Sequence, residues 1–306
     1  MRILNRITAW VLLCLLLLTA MAPTAFAAGD DNRLTVRYTY DGVPISEARF
    51  HLFLVGAVAQ DGTLSLTGDF SGYPVVVGGQ TGGGLQTAAD TLYGYIQRDQ
   101  IQPNQIVVTN NSGYAAFLGL SRGLYLVAGQ PCKIGDTLYQ TQPQLIAVTE
   151  DLILEAKCEA QEDPTEPQTL SVLKKWSDTG YESKRPKTLT VSLVRDGSVV
   201  ETVTLDAAGN WRHTWENLEP GWQWSVVEEC PKDYTVTMQR EGDTFLLTNT
   251  RIVYPEKPSD TPTGSTQDPA IPQTGMVWWP VLVLLAGGLC LIALGARLRR
   301  EERGDA

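Results

Sequence analysis

A serine motif is the first place in this sequence where residue types and spacing suggest chemistry. Residues 119–123 read Gly-Leu-Ser-Arg-Gly, the Gly-x-Ser-x-Gly spacing of a nucleophile elbow centred on Ser121. Such a serine needs a strand before it, a helix after it, and an acid and a histidine later in the chain. Residues 124–127 are instead typical of a strand, and the only later histidine is the distant His213. The motif therefore predicts a turn between strands, and we expect the chain not to be an enzyme.

Composition argues against several other kinds of site. The chain of 306 residues has two histidines and five cysteines, and none of them are grouped with the spacing of a zinc site. We therefore predict no metal ion and no cofactor. The formal net charge is −10, which repels phosphate backbones, so we expect no nucleic acid partner.

A pentapeptide near the carboxyl end has the features of a processing site. It consists of Ile271, Pro272, Gln273, Thr274 and Gly275. The proline holds the peptide extended, and an extended, exposed peptide is what a processing enzyme can grip. The apolar run 276–296 that follows has 21 residues, enough for a helix that crosses a bilayer. Arginines in the tail, 297–306, prefer the cytoplasmic side and place everything before the apolar run outside.

This layout resembles the cell-wall sorting signal of Gram-positive surface proteins, the substrate of sortase, whose usual pentapeptide is Leu-Pro-any-Thr-Gly. The resemblance implies cleavage between Thr274 and Gly275. Thr274 is then joined to an amine of the peptidoglycan or of another pilin subunit. Ile271 replaces the usual leucine, which leaves the class of sortase open. The alternative is an ordinary single-pass membrane anchor that follows a chance pentapeptide.

The amino-terminal segment 1–27 is typical of a secretory signal peptide. Arg2 and Arg6 precede the apolar run 11–18, and residues 25–27, Ala-Phe-Ala, form a small-residue cleavage site. A second membrane anchor is the alternative, and the cleavage site argues against it. We therefore predict a secreted ectodomain that is anchored to the cell wall of a Gram-positive bacterium by its carboxyl end.

Composition and turn residues divide this ectodomain into two folded regions, 33–158 and 169–250. The linker 159–168 is acidic and contains prolines, and the Pro/Thr/Ser-rich segment 251–270 predicts an extended stalk. Short runs of alternating apolar and polar residues, separated by turn signals, predict strands in both regions. We therefore predict an all-β chain with two β-sandwich domains in tandem, the first with a short helix.

The predicted elements follow this pattern. In the first region, we expect strands at 34–40, 48–58, 124–127 and 144–154, and a helix from about 85 to 98. In the second region, we expect strands at 189–194, 199–205, 210–215, 222–227, 234–238 and 244–248.

The second region resembles a known family. The residues that carry the resemblance are Val172-Leu173-Lys174-Lys175-Trp176-Ser177-Asp178, Lys184-Arg185-Pro186, Leu193-Val194-Arg195-Asp196-Gly197, Asn210-Trp211, Trp215-Glu216-Asn217-Leu218, Trp224-Ser225-Val226-Val227-Glu228, Tyr234 and Leu247-Thr248-Asn249-Thr250. They are similar to the Cna-B domain, the immunoglobulin-like stalk module of Gram-positive adhesins and pilins. The resemblance implies a self-formed isopeptide bond between Lys174 of the first strand and Asn249 of the last, promoted by Glu228.

Strand geometry is compatible with that implication. Side chains two apart share a face, so Lys174 points into the sandwich while Lys175 faces solvent. Burial makes a lysine lose its charge, and the neutral amine is a nucleophile. Burial also favours the neutral acid at Glu228, which can polarise the carboxamide of Asn249 and carry protons.

Three stretches of the first region, residues 39–42, 66–70 and 119–125, are similar to the amino-terminal module that precedes Cna-B units in pilin-like proteins. Arg37 stands where a bond-forming lysine is expected, and an arginine cannot become a neutral nucleophile. We therefore predict no isopeptide bond between 33 and 158. Of the three cysteines outside the targeting segments, Cys132 and Cys158 are the candidate pair for a disulfide.

Two functions remain open at this stage. One is a structural pilus or stalk subunit that is attached by sortase, with the peptidoglycan or another pilin subunit as its partner. The other is an adhesin whose first region binds a host protein or glycan. Four tryptophans of the second region, at 211, 215, 222 and 224, could stack on sugars, but their alternation predicts that half of them belong to the core.

Overall fold

The computed structural model describes residues 31–78 and 82–253. The predicted signal peptide 1–27, the sorting motif 271–275, the apolar run 276–296 and the tail 297–306 lie outside the described residues. So does the predicted stalk 251–270, apart from its first three positions. Within the described part of the chain, no helix is both long enough and apolar enough to cross a membrane.

The first region is built mainly from strands. They are β1 (Asn32–Tyr40), β2 (Val43–Pro44), β3 (Arg49–Val58), β4 (Leu64–Leu66), β5 (Gln105–Val108), β6 (Tyr114–Leu120), β7 (Gly123–Gly129), β8 (Cys132–Ile134), β9 (Thr137–Gln140), β10 (Gln144–Val148), β11 (Leu152–Ala156) and β12 (Glu159–Glu162). An α-helix, α1 (Gly82–Arg98), lies in the chain between β4 and β5. It has 17 residues and begins three residues earlier than its apolar face predicts.

Two sheets of the first region face each other. One joins β11, β1, β2 and β6, and the other joins β10, β7, β3, β4 and β5. Alternating side chains of β1, Leu34, Val36 and Tyr38, are buried between them, where they meet Phe50 and Leu52 of β3. The turn after β1 has positive φ at Asp41 and Gly42, the residue types that a tight hairpin requires.

The segment 144–154, which we predicted as one strand, is two strands in different sheets. β10 pairs antiparallel with β7, and β11 pairs parallel with β1. The chain crosses from one sheet to the other at 149–151, where the carboxylate of Asp151 accepts a 2.8 Å hydrogen bond from the backbone of Arg33. The two polar residues Glu150 and Asp151 interrupt the apolar pattern at that crossing.

The second region also consists of two facing sheets. Its strands are β13 (Gln168–Ser177), β14 (Thr188–Arg195), β15 (Ser198–Asp206), β16 (Arg212–Leu218), β17 (Trp224–Glu228), β18 (Tyr234–Glu241) and β19 (Thr244–Arg251). The order is β16-β13-β19-β18 in one sheet and β15-β14-β17 in the other, with the core between them. β16 starts two residues later than predicted because Asn210 and Trp211 both have positive φ and belong to the preceding turn.

The helix α1 lies between the two regions. Leu92 and Ile96 pack on the outer face of the β3–β7 sheet, and the same buried cluster includes Val194, Val227 and Val236 of the second region. The described residues accordingly belong to one compact unit. We predicted two sandwich domains in tandem, and the structure adds a cluster of buried residues that the two regions share.

The predicted linker 159–168 is also partly ordered as a strand. β12 pairs antiparallel with β9, so the sheet β12-β9-β8 continues into the segment we took for a linker. Lys133 and Asp163 form an ion pair at its end. The next strand, β13, begins at Gln168, which leaves residues 163–167 between the two strands.

Candidate functional site

The amine of Lys174 is buried between the sheets of the second region. Val172 and Lys174 alternate with exposed Lys175 along β13, and Lys174 is 4% exposed. Its Nζ donates hydrogen bonds to the backbone carbonyls of Lys175 at 3.0 Å and Leu247 at 3.3 Å. The predicted orientation of Lys174 and Lys175 is therefore confirmed.

Glu228 reaches the same interior from the opposite sheet. It ends β17, where Trp224 and Val226 share its face, and it is 1% exposed. Its Oε2 lies 3.3 Å from Nζ of Lys174. The acid and the amine are thus in direct contact, away from solvent.

Asn249 completes the cluster from the last strand. β19 pairs parallel with β13, with Lys174 opposite Leu247 and Trp176 opposite Asn249. Asn249 is therefore two positions beyond the partner of Lys174, a diagonal of about 7–8 Å between backbones that a long side chain can span. Its side chain is fully buried.

Burial drives both ionisable groups toward their neutral forms. It lowers the pKa of Lys174 to about 8, against the opposing effect of the Glu228 carboxylate. It raises the pKa of Glu228, against the opposing effect of the Lys174 ammonium. A neutral amine beside a neutral acid is the arrangement that nucleophilic attack on a carboxamide requires.

The polar atoms of this cluster are poorly satisfied. Both carboxyl oxygens of Glu228 and both amide atoms of Asn249 are buried with no well-directed hydrogen bond among the described residues, although Asn249 and Cys230 lie next to the carboxyl of Glu228. The 3.3 Å approach of Lys174 to Glu228 is therefore a contact rather than a well-directed hydrogen bond. Leaving such a group unpaired costs about 1–3 kcal/mol. Buried polar groups in folded proteins are nearly always hydrogen-bonded, so unpaired groups such as these point to a chemical role.

Aromatic rings close the cluster on the side of β13. Nζ of Lys174 lies 4.7 Å from the ring centre of Trp176, whose ring meets those of Trp211 and Tyr234 edge-on. Arg185 also lies over the Trp176 ring, at 5.7 Å. These rings keep water from the amine, which supports its lowered pKa.

An ion pair holds this aromatic cover in place. The buried carboxylate of Asp178 accepts hydrogen bonds from Arg185 at 2.6 and 2.9 Å and from the hydroxyl of Tyr234 at 3.0 Å. The Arg185 guanidinium lowers the pKa of Asp178, so this carboxylate stays charged. Asp178 and Arg185 both lie in the stretches that carry the family resemblance, but we predicted no role for either of them from the sequence.

Cys230 is a further neighbour that the sequence pattern missed. It is half-buried beside Glu228, and burial raises the pKa of its thiol to about 12. Its Sγ contacts the backbone carbonyl of Tyr234 at 3.4 Å. The thiol is therefore protonated and is not a competing nucleophile at neutral pH.

The first region contains the same strand arrangement with different residues at the corresponding positions. β1 pairs parallel with β11 and antiparallel with β6, as β13 does with β19 and β16. Tyr38 is paired with Ala156 as Lys174 is with Leu247, so Tyr38 corresponds to Lys174. Cys158, two positions past Ala156, then corresponds to Asn249.

Arg37, which we placed at the lysine position, is one residue away from it. It points to solvent and forms a 3.2 Å ion pair with Glu155 on the neighbouring strand. The error came from matching residue type rather than the inward-facing register.

The position of the first region that corresponds to Glu228 also lacks an acid. Phe50 is paired with Gly129 as Val191 is with Glu228, so Gly129 corresponds to the acid. A side chain at Gly129 would collide with Phe50 and Thr141. The three corresponding positions of the first region therefore hold no amine, no acid and no carboxamide.

Cys132 and Cys158 are free thiols in the structure, so the predicted disulfide is not formed in it. Cys132 pairs with Tyr139 of β9, and β9 separates β8 from β12, the strand that follows Cys158. Both thiols pack against the core of the first region near Tyr38, whose hydroxyl has no hydrogen-bond partner among the described residues.

The remaining candidate residues have structural positions. Ser121 lies in the turn between β6 and β7, as predicted, and its hydroxyl is 3.3 Å from that of Tyr125. It borders a cleft of about 570 Å³ that has no histidine in its lining. Of the four tryptophans, Trp215 and Trp224 are buried and Trp222 is 40% exposed, so half do belong to the core.

Sequence comparison assigns the region that holds the cluster. Residues 170–250 match the model of the Cna protein B-type domain. The second region is therefore a Cna B-type domain, a structural module rather than an enzyme. No curated protein sequence matches the chain.

Several solved structures align with a larger part of the chain at low similarity. A single B repeat unit of the collagen-binding surface protein of Staphylococcus aureus aligns over 73% of this chain and 98% of its own, with 16% identity and a TM-score of 0.27. The minor pilin of Streptococcus agalactiae aligns over 74% and 99%, with 15% identity and a TM-score of 0.24. A pilus protein of Streptococcus pneumoniae aligns over 67% of this chain but 32% of its own, with 16% identity and a TM-score of 0.29. Because these scores are low, the assignment depends on the match over residues 170–250.

Proposed function

We propose that this chain is a structural stalk or pilus subunit of a Gram-positive cell surface, stiffened by an isopeptide bond between Lys174 and Asn249. The observation that carries the proposal is the buried contact of Lys174 with Glu228, 3.3 Å apart, beside the unpaired carboxamide of Asn249. It lies in a Cna B-type domain.

The chemistry follows from the neutral forms of the two ionisable groups. Neutral Nζ of Lys174 attacks Cγ of Asn249, while the protonated acid of Glu228 donates a hydrogen bond to the carboxamide oxygen. The Nζ–Cγ bond forms and the Cγ–Nδ2 bond breaks. Glu228 gives its own proton to the leaving nitrogen, which departs as ammonia, and its carboxylate accepts the proton that the amine loses. Glu228 is regenerated, and the product is a secondary amide between β13 and β19.

The bond also removes the energetic cost of the cluster. The amine, which is held by two backbone carbonyls, and the carboxamide, which is buried without a partner, become a single neutral amide. The link closes a loop of about 75 residues, which in the chain-entropy model stabilises the fold by about 4 kcal/mol. Unlike a disulfide, it cannot be reduced.

Anchoring is the second part of the proposal. The pentapeptide 271–275, the apolar run 276–296 and the arginines that follow have the layout of a sortase substrate. Cleavage between Thr274 and Gly275 would attach Thr274 to the peptidoglycan or to another pilin subunit. These residues lie outside those described, so the support comes from the sequence.

Mass measurement tests the bond directly. The intact mass should be lower than the sequence mass by one ammonia, and Lys174→Ala should restore the full mass. Lys175→Ala is the matched control, because this neighbouring lysine faces solvent, and it should keep the loss. Glu228→Gln, nearly the same shape but without the acid, should also abolish the loss. An unreduced mass in the native chain would refute the bond.

Fractionation of expressing cells tests the anchoring. Thr274→Ala should move the protein from the covalent wall fraction to the membrane fraction, while Gln273→Ala should leave it in the wall because the motif accepts any residue there. Polymer ladders in the wall extract would indicate a pilus subunit, and a single band would indicate a lone surface protein. Recovery of the unaltered chain from the membrane alone would refute sortase attachment.

The adhesin alternative has one structural feature in its favour. The cleft beside Ser121 lies in the first region and is lined by Leu52, Leu54, Asn104 and Tyr125, an apolar wall with a few polar groups. Such a cleft is a place where a host ligand could bind. Binding to a glycan and matrix-protein array that is lost in Leu54→Asp would support this second function.

A further inference from the structure

The helix α1 covers the sheet that carries Glu228. Val194 of β14 and Val227 of β17 point away from the core of the second region and are buried against this helix. Val227 is the residue next to Glu228, so one face of β17 presents the acid to Lys174 while the other face packs on α1. The first region thereby supplies the outer wall of the strand that positions the acid.

The helix approaches this strand more closely than a side chain would allow. A Cβ atom at Gly94 would lie 2.9 Å from Oγ of Ser225 and 3.1 Å from Cγ2 of Val227. Glycine is a poor residue for a helix interior, where it costs about 1 kcal/mol relative to alanine. At this position it lets the helix backbone lie directly on β17.

Directed hydrogen bonds fix the same interface. The hydroxyl of Tyr95 donates to the backbone carbonyl of Glu228 at 3.1 Å, in a buried position. The hydroxyl of Thr91 accepts from the backbone of Met238 at 2.7 Å, and the carbonyl of Pro74 accepts from the backbone of Val236 at 2.8 Å. One of these bonds is made to the backbone of the acid itself.

We propose that α1 of the first region is a positioning element for the crosslinking reaction of the second region, with Tyr95 and Gly94 as its positioning residues. Tyr95 holds the backbone of Glu228 so that its carboxyl faces Lys174, and the close contact at Gly94 excludes water from the far side of β17. Bond formation in the second region then depends on docking of the first. The proposal rests on the Lys174–Asn249 bond proposed above.

The environment of Glu228 provides a readout that is specific to positioning. The groups next to the carboxyl of Glu228 are Lys174 from β13, Asn249 from β19 and Cys230 beyond the end of β17, and Tyr95 of α1 lies on the opposite face of β17. Glu228 must be protonated to act, and burial keeps its pKa raised. A looser helix would admit water, lower this pKa and shift crosslinking toward lower pH. A purely structural contact would leave the pH dependence where it is.

Refolding kinetics test the proposal. The full chain is purified unfolded and diluted into detergent buffer, and the loss of ammonia is followed by intact mass at timed intervals. Tyr95→Phe should slow the loss by roughly threefold to tenfold, the range that corresponds to one hydrogen bond. Tyr93→Phe is the matched control, because its hydroxyl accepts a 3.1 Å bond from Gln130 of the first region, and it should react at the native rate.

A second variant pair tests the close approach. Gly94→Val should slow the reaction further and move its pH dependence toward acid. Gly72→Val should change neither, since a Cβ at Gly72 meets no atom within 4 Å. If Gly94→Val does not fold, the comparison of Tyr95→Phe with Tyr93→Phe is the test of the proposal.

The outcomes separate the two proposals. If the native chain never loses ammonia, the crosslink itself is refuted. If it does, and Tyr95→Phe reacts at the same rate and with the same pH dependence as Tyr93→Phe, the crosslink stands and the role of α1 is overturned. A slower reaction in Tyr95→Phe alone supports the positioning role.

Discussion

Tyr38 of the first region lies at the position that Lys174 holds in the second region. Each is the third inward-facing residue of a strand that pairs parallel with a late strand of its region, β11 for Tyr38 and β19 for Lys174. The two regions thus share a plan, but only the second has an amine there. The phenol of Tyr38 cannot take part in amide exchange, and burial raises its pKa further.

This relationship predicts where the ammonia is lost. Peptide mapping of the native chain should find the crosslink only between the peptides that contain Lys174 and Asn249, because Tyr38, Gly129 and Cys158 replace the three groups in the first region. Tyr38→Phe should leave the mass loss unchanged. A crosslinked peptide from within 33–158 would contradict the assignment.

The bond should dominate the stability of the second region. We expect Lys174→Ala to lower the free energy of unfolding by about 4 kcal/mol, the value for closing this loop. Urea unfolding followed by tryptophan fluorescence measures the change. Lys175→Ala, on the exposed face of β13, should lie within about 0.5 kcal/mol of the native chain. Equal midpoints for the two variants would show that no bond had formed.

A chain that cannot crosslink should gain stability as the pH rises. In Asn249→Ala the Lys174 amine remains, with its pKa lowered to about 8 from the ordinary 10.5. Between these values the unfolded chain binds a proton that the folded chain has lost, so stability increases with pH across that window and is lowest below it. Urea midpoints from pH 7 to 10.5 measure the slope.

The control for this slope removes the amine as well. Asn249→Ala combined with Lys174→Met keeps the volume near that of lysine but has nothing to titrate. The difference between the two profiles isolates Lys174 from other lysines and tyrosines. Parallel profiles would mean that the buried amine keeps an ordinary pKa.

The Asp178–Arg185 pair should contribute more than an exposed pair. Arg185→Gln leaves the carboxylate of Asp178, which is fully buried, with only Tyr234 as a partner. Breaking a buried pair costs about 3–5 kcal/mol, and because Arg185 is partly exposed we expect about 2–3 kcal/mol. Arg195→Gln breaks the exposed pair with Glu219 and should cost less than about 1 kcal/mol. Thermal unfolding of both variants makes the comparison.

The thiols of Cys132, Cys158 and Cys230 should all be accessible to alkylation once the chain is unfolded without reductant, because the structure contains them as free thiols. Peptide mapping should find an addition on each of these three, and Cys230, alone in its surroundings, is the internal reference. Only one addition, at Cys230, would restore the Cys132–Cys158 disulfide that the sequence predicted.

The strand pattern made the interior of the second region predictable. Alternation placed Lys174 inward and Lys175 outward, and it placed Glu228 on the face of Trp224, because neighbours in a strand leave little freedom once one face is buried. The structure buries Lys174, Glu228 and Asn249 as this reasoning requires. The bond between them stays a prediction.

Alternation within a strand could not predict contacts between segments that are distant in the sequence. The apolar face of α1 showed that the helix packs on something, but not that it packs on two sheets at once. Nor does residue type reveal register, which is why Arg37 was taken for the position of Tyr38. The segment 144–154 divides into two strands because its halves join different sheets. The second half pairs with β1, which lies more than a hundred residues earlier in the chain.

The parallel pairing of β13 and β19 has a consequence for tension along the chain. A pull applied to this domain enters at the start of β13, near Gln168, and leaves at the end of β19, near Arg251. With Lys174 and Asn249 joined, the path that carries the tension runs through the seven residues 168–174 of β13, across the amide, and out through the three residues 249–251 of β19. The residues from 175 to 248 then bear no tension, so the domain transmits force without being stretched.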